Sequence, residues 1–309
     1  MSDPQTSPAS AWPELPYEQW APTKRTLHRY TQIVGKVRMA LMPPRNHWWH
    51  VTLYVTERGL STGPMPYEQR DISVEFDFVE HRLLVRSSDG RQAGFPLTAR
   101  PACADFYSDL FGALAKIEVP VDIHPEPFDL GDSPALHEDR VNASYDADAV
   151  ERYWRILGST QRVMDRFQVS FLGKASPVHL FWHSFDLAHA RYSGRRAPQA
   201  EGVDRVTAEA YSHEVIAFGF WPGDDRGSPF PAFYSYTAPE PDGLAEQPIG
   251  VEQAQWQNTG NGSLAVLTYE GMRSTGDPAQ TLLSFFEGAY MAGGRSAGWE
   301  LQALGRSQT

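Results

Sequence analysis

The chain has a single cysteine, Cys103, among its 309 residues. One thiol closes no internal disulfide, so the fold must rest on packing alone. Long apolar runs are missing too: no stretch reaches the roughly 18 residues that a membrane-spanning helix needs. Positive charge is scarce, with 27 Lys and Arg against 38 Asp and Glu and a net charge of −11. That balance repels polyphosphate and anionic lipid, which sets aside nucleic acid and membrane surfaces as partners. The opening MSDPQTSPASAWPELP lacks the basic flank and apolar core of a secretory signal, so the cytoplasm is the expected location. There is no GxxxxGK[ST] phosphate loop, and the glycines at Gly260 and Gly262 precede a strand-like run rather than a helix. No nucleotide cofactor motif is present.

What the sequence does hold is apolar and aromatic: 41% hydrophobic residues, with 9 Trp, 13 Tyr and 16 Phe. That suffices for a sizeable core and excludes wholesale disorder. The length admits one domain or two. Residues 1–22, with five prolines, read as an extended arm. From Thr23 to Met42, apolar residues recur every three or four positions and the run stops at Pro43 and Pro44, which predicts a helix. The runs HVTLYVTE, ISVEFDFV and HRLLVRSS predict antiparallel strands, with a hairpin turn at Asp89 and Gly90. A helix after Pro101 and a short strand at VPVDIHP close this part. A second part repeats the order: a helix from about Ala147 to Phe167, β-runs at HEVIAFGFWPG, PAFYSYTAP and SLAVLTYE, then a helix opened by Pro278. The expected fold is therefore α+β, with similar halves at 23–130 and 147–302. Each half would be a mainly antiparallel sheet backed by helices, as an internal duplication about a pseudo-two-fold axis would produce, with a cleft between them.

Several chemical motifs fail on context. The GxSxG match at Gly294 to Gly298 follows a helix-like run and has no Asp or His after it, so it reads as a helix end. His213-Glu214 lacks the second histidine of a zinc-protease motif. Cys103 sits among small apolar residues and reads as buried and inert.

The ten histidines are unevenly placed. His47 and His50 bracket Trp48 and Trp49, while His179, His183 and His189 fall in SPVHLFWHSFDLAHA. His179 and His183 share a side in either a helix or a strand, whereas His47 and His50 diverge on a strand, so at most one of that pair serves. Residues 178–191 admit both conformations. Ser176, Pro177 and Gly194 suit a helix's ends, and the aromatic content suits a strand on which His179, Phe181, His183, Phe185 and Leu187 share a face. Three readings stay open: histidines filling a β-rich core, a divalent transition-metal site built from His50, His179 and His183 with His213 or Glu214 as a further ligand, or a metal-free pocket in which histidine carries a proton between tryptophan walls. Tyr211 shares a strand face with His213, and Arg191, Arg195 and Arg196 are placed to clamp an anion.

The runs NHWWHVTLYVTERGL, EFDFVEHRLLVRSSDGR, GKASPVHLFWHSFDLAHARYSGRRAP and AYSHEVIAFGFWPG resemble an uncharacterised bacterial family with one domain of unknown function. The resemblance runs from about Thr23 to Trp299. It implies a bacterial origin and a single family-length unit, and it brings no activity. In that family the position of His183 is often glycine and that of His189 varies, which moves the site toward His50, His179, Asp186 and His213. The resulting expectation is an enzyme acting on a small organic molecule, or a non-catalytic binding protein using the same pocket. His50, His179, His213, Asp186 and Tyr211 would be the reactive groups, and Trp48, Trp49, Phe181, Trp182 and Arg195 the ligand contacts.

Overall fold

A computed structural model describes residues 11–131, 133–199, 202–225 and 227–306. The first ten residues of the expected arm lie outside the described residues. Of the rest, residues 17–22 are helical rather than extended and Leu15 is buried in the core, while Tyr269 donates to the Pro13 carbonyl at 2.6 Å and Ser159 to the Ala11 carbonyl at 2.6 Å. Helix α1 (Tyr17–Leu41) begins earlier than the periodicity predicts and takes in Pro22. It is buried around most of its circumference, so it runs through the core rather than along the surface.

After a 3-10 turn at Asn46–Trp48 come β1 (Tyr54–Val55), β2 (Gly59–Ser61), β3 (Met65–Tyr67), β4 (Arg70–Asp77), β5 (Arg82–Ser87) and β6 (Gln92–Pro96). They form one antiparallel sheet in the order β1-β2-β4-β5-β6, with β3 also on β4. Alternation sends Ile72, Val74, Phe76, Leu83 and Val85 into the core. Helix α2 (Cys103–Lys116) packs on this sheet. Residues 119–125 form no strand, contrary to expectation. Pro120 and Pro125 each remove a backbone donor that a ladder would use.

Helix α3 (Ala147–Gln168) starts at Asp146, whose side chain accepts from the Ala149 amide at 3.1 Å, and buries Val150, Tyr153, Leu157, Met164 and Phe167. The second sheet consists of β7 (His179–Phe181), β8 (Asp186–Arg196), β9 (His213–Trp221), β10 (Ala232–Ala238), β11 (Ala254–Asn258) and β12 (Ser263–Thr268), in the antiparallel order β11-β12-β10-β9-β8-β7. A six-residue helix, α4 (Arg205–Ala210), lies between β8 and β9; α5 (Tyr269–Arg273), α6 (Pro278–Ser296) and α7 (Leu301–Leu304) follow β12. The α+β reading holds, with one antiparallel sheet from each half, although the two strand orders do not match strand for strand.

The sheets meet where Leu53 and Leu180 exchange both backbone hydrogen bonds, at 2.8 and 2.9 Å, and one continuous apolar core spans both halves. Residues 178–191 are neither a helix nor one strand. The chain reverses after Phe181, with Phe185 at φ +61°, and Leu180 pairs with Leu187 in a hairpin. Phe185 and Leu187 therefore do not continue the face of His179 and Phe181, as an uninterrupted strand would require. On β8 that face passes to Asp186, Ala188, Ala190 and Tyr192. The opposite face carries Leu187, His189 and Arg191 onto α3. There the buried Arg191 guanidinium stacks 3.4 Å from the Phe167 ring centroid and donates to the Phe167 carbonyl at the end of α3.

Candidate functional site

The second sheet is buried on both faces through β8 and β9. Helices α3 and α6 cover one face. The other carries only small side chains at its centre: Ala188 pairs with Gly219 and Ala190 with Ala217, while Tyr234 and Tyr236 stand beside them on β10. A Cβ at Gly219 would come within 2.3 Å of the Tyr234 ring, so only glycine lets that ring lie across the floor. Over this floor fold the 3-10 turn and α4, and the space left between them is a cavity of about 290 Å³. Its walls include Trp48, Trp49, Phe181, Tyr192 and Tyr211, with His47, His179 and His183. Larger hollows, such as one of about 540 Å³ between Glu14 and Arg273, are more open to solvent.

The turn that roofs the cavity is built on two successive left-handed residues, His47 (φ +54°) and Trp48 (φ +61°). Non-glycine residues rarely adopt this conformation, and here it swings His47 over the sheet. His47 donates from Nδ1 to the Ala210 carbonyl at 3.0 Å, which leaves Nε2 to accept from Lys174 Nζ at 2.7 Å. The same ammonium sits over the rings of Tyr192 (5.2 Å) and Trp49 (5.6 Å). Burial lowers the pKa values of His47 and Lys174.

His179 is 1% exposed, and burial, helped by His189 and Arg38, lowers its pKa to about 3. Its Nδ1 meets Thr52 Oγ1 at 3.2 Å; that hydroxyl donates to the Trp49 carbonyl, so it receives the imidazole proton. Nε2 then carries a free lone pair. Asp186 is 7% exposed and accepts hydrogen bonds from the Ser184 and Tyr234 hydroxyls. The Tyr236 and Tyr211 hydroxyls are 2.9 Å apart.

Of the expected site residues, the structure brings His179, Phe181, Trp48, Trp49 and Tyr211 to the cavity, and Asp186 to its margin through Tyr234. The others fall elsewhere. His50 turns away from the cavity, accepting from the Arg45 amide at 3.2 Å and packing against Trp48. His213 stands 5.9 Å from the His47 ring and bonds to Ser212. His50, His179 and His213 are thus not gathered as metal ligands, and among the described residues no group of three or more His, Cys, Asp or Glu is placed to hold a metal ion. Trp182 points into the core against α1. Arg195 is engaged by Glu214 at 2.7 Å and by the Ala297 carbonyl, and Arg191 is on the sheet's far face. Arg196 faces a separate open hollow with Arg45 and Arg205, outside α4. The Cys103 thiol is buried, and that burial raises its pKa to about 12.

Lys174, Tyr192, Tyr234, Tyr236 and the small floor residues were not expected from the sequence, and of the His47 and His50 pair it is His47 that enters the cavity. A signal for the floor was present at strand period: Ala-x-Ala in β8, Ala-x-Gly in β9 and Tyr-x-Tyr in β10 align small residues with rings on one face.

His179 and His189 make acid stability a test of this geometry. Burial is the main cause lowering each pKa from 6.5 to about 3. The unfolded chain therefore binds protons that the folded one refuses, and stability present above pH 6.5 falls steadily as pH drops toward 3. Between pH 7 and pH 5 each histidine should remove about 2 kcal/mol. Urea unfolding of His189→Gln is expected to show a correspondingly smaller loss over that interval, and an unchanged loss would contradict the burial of a neutral ring.

A family model described as a family of unknown function, DUF5996, matches residues 12–306. The chain belongs to that family, which occupies nearly its whole length. No curated protein and no solved structure matches it. Among the described residues no helix is long and apolar enough to cross a membrane.

Proposed function

We propose that the protein binds a small, largely apolar or aromatic organic molecule in the cavity above Ala188, Ala190, Ala217 and Gly219. The observation that carries this reading is the combination of a bare floor with ring-lined walls and a few converging polar groups, which is the make-up of small-molecule sites. A core built only for stability fills such space, because interiors pack to crystal-like density. The chemistry of His179 favours binding over proton transfer: a base with a pKa near 3 is mismatched to neutral pH, whereas its Nε2 lone pair accepts a hydrogen bond. Catalysis is the second reading, supported by the 2.7 Å contact between Lys174 and the fixed tautomer of His47.

Titration of the protein with 4-tert-butylphenol by calorimetry tests the first reading. Micromolar to submillimolar binding is expected, weakened at least about tenfold by Ala190→Leu, which fills the floor at a cost in stability of about 1 to 3 kcal/mol. Equal affinity in the stable variant would overturn the proposal. Recovery of the phenol unchanged marks a binder, and a product mass marks an enzyme.

A further inference from the structure

The charges that flank the cavity are unequal along β8, and both sit behind the rings that line it. Beyond one end, Lys174 covers the faces of Trp49 and Tyr192. Behind the other end lies Asp186, six residues before Tyr192 on β8 and therefore about 20 Å from it along the strand. Its carboxylate is more than nine-tenths buried, yet its side-chain partners are the neutral hydroxyls of Ser184 and Tyr234. Among the described residues no Lys or Arg forms an ion pair with it; Arg191, on the same strand, is committed to the opposite face of the sheet. Buried carboxylates are ordinarily matched by a cation, because desolvation of an unmatched charge is costly. Around this end stand the rings of Phe181, Tyr234 and Phe128, with Phe128 at the exposed rim and edge-on to His183. Burial disfavours the protonated form of the neighbouring His183, against the pull of Asp186 and Asp129.

We infer that the Asp186 end of the cavity recognises an organic cation, a protonated or quaternary ammonium carried on a small apolar body. Ring faces present negative quadrupoles to an ammonium, and a carboxylate behind the Tyr234 hydroxyl adds long-range attraction in a medium of low dielectric. A quaternary nitrogen suits this arrangement in particular, because it asks for no hydrogen-bond acceptor. The inference rests on the binding reading above and specifies its ligand.

A matched pair of probes separates the two claims: (4-hydroxyphenyl)trimethylammonium and 4-tert-butylphenol have the same shape and differ by one charge. Calorimetry on the full chain is expected to show the ammonium binding about tenfold or more tightly than the phenol. In Asp186→Asn that advantage should fall to within about threefold, with the phenol's affinity retained. An equal or tighter grip on the phenol by the wild-type chain overturns the charge inference and leaves the cavity reading standing. Binding of neither probe overturns both. A tenfold advantage that persists in a folded D186N overturns the role of Asp186. Should D186N fail to fold, Phe181→Leu carries the test: losing one ring face is expected to reduce the ammonium's advantage about threefold, and an unchanged ratio counts against the inference.

Discussion

Replacing Trp182 by Ala is expected to destabilise the protein by about 3 to 5 kcal/mol, the range for truncating a large buried aromatic. The ring is 4% exposed and donates from Nε1 to the Val51 carbonyl at 2.8 Å. It lies flat against Gly35 of α1, where a Cβ would approach the indole to 2.1 Å. The backbone beside it is tied down as well, since His28 Nε2 donates to the carbonyls of Trp182 and His183 at 2.9 and 3.1 Å. Trp182 thus pins the β7–β8 hairpin turn to the central helix and holds Asp186 and the cavity floor in position. Its removal leaves a void and an unpaired buried carbonyl together. Urea unfolding checks this, and a loss below about 1 kcal/mol would show that the indole is not wedged as described.

A comparable loss, again about 3 to 5 kcal/mol, is expected for Asp139→Ala, because removing one partner of a buried ion pair strands the other. Asp139 Oδ2 lies 2.8 Å from Arg29 Nε, with side-chain exposures of 0% and 8% respectively. Asp139 Oδ1 also accepts from the amides of Val141 and Asn142 at 3.0 Å. The carboxylate therefore fastens the loop between the two halves to α1. Denaturation of Asp139→Ala beside Asp139→Asn separates the effects: the amide retains an acceptor for the loop but loses the charge, so an intermediate loss is expected.

Helices α3 and α6 were legible because their ends are chemical. Asp146 caps α3, Asp277 and Pro278 open α6, and Gly298 in the left-handed region follows its end. The antiparallel pairing was legible in the alternation of β4 and β5. The site was legible only in part. Both histidines beside the tryptophan pair were visible, but which one enters the cavity depends on two left-handed residues that no period reveals. His50 was favoured, and His47 occupies the roof. Likewise the reversal after Phe181 moved Phe185 and Leu187 off the face of His179 and brought Asp186 onto it. A reversal inside an aromatic run, without glycine or proline at the bend, leaves little trace in sequence. Trp182 was chosen as a wall because tryptophan lines ligand sites. Its neighbour Gly35 lies far away in the chain, and that separation hid its structural role.

The central claim, that the hollow above the second sheet receives a small molecule, is tested most directly by a crystal of the protein soaked in 4-bromophenol and measured at the bromine edge. An anomalous peak is expected between Ala190 and Tyr236, inside the ring-lined space. Bromine confined to the surface, with Tyr234 and Tyr236 closed over the floor, would contradict it.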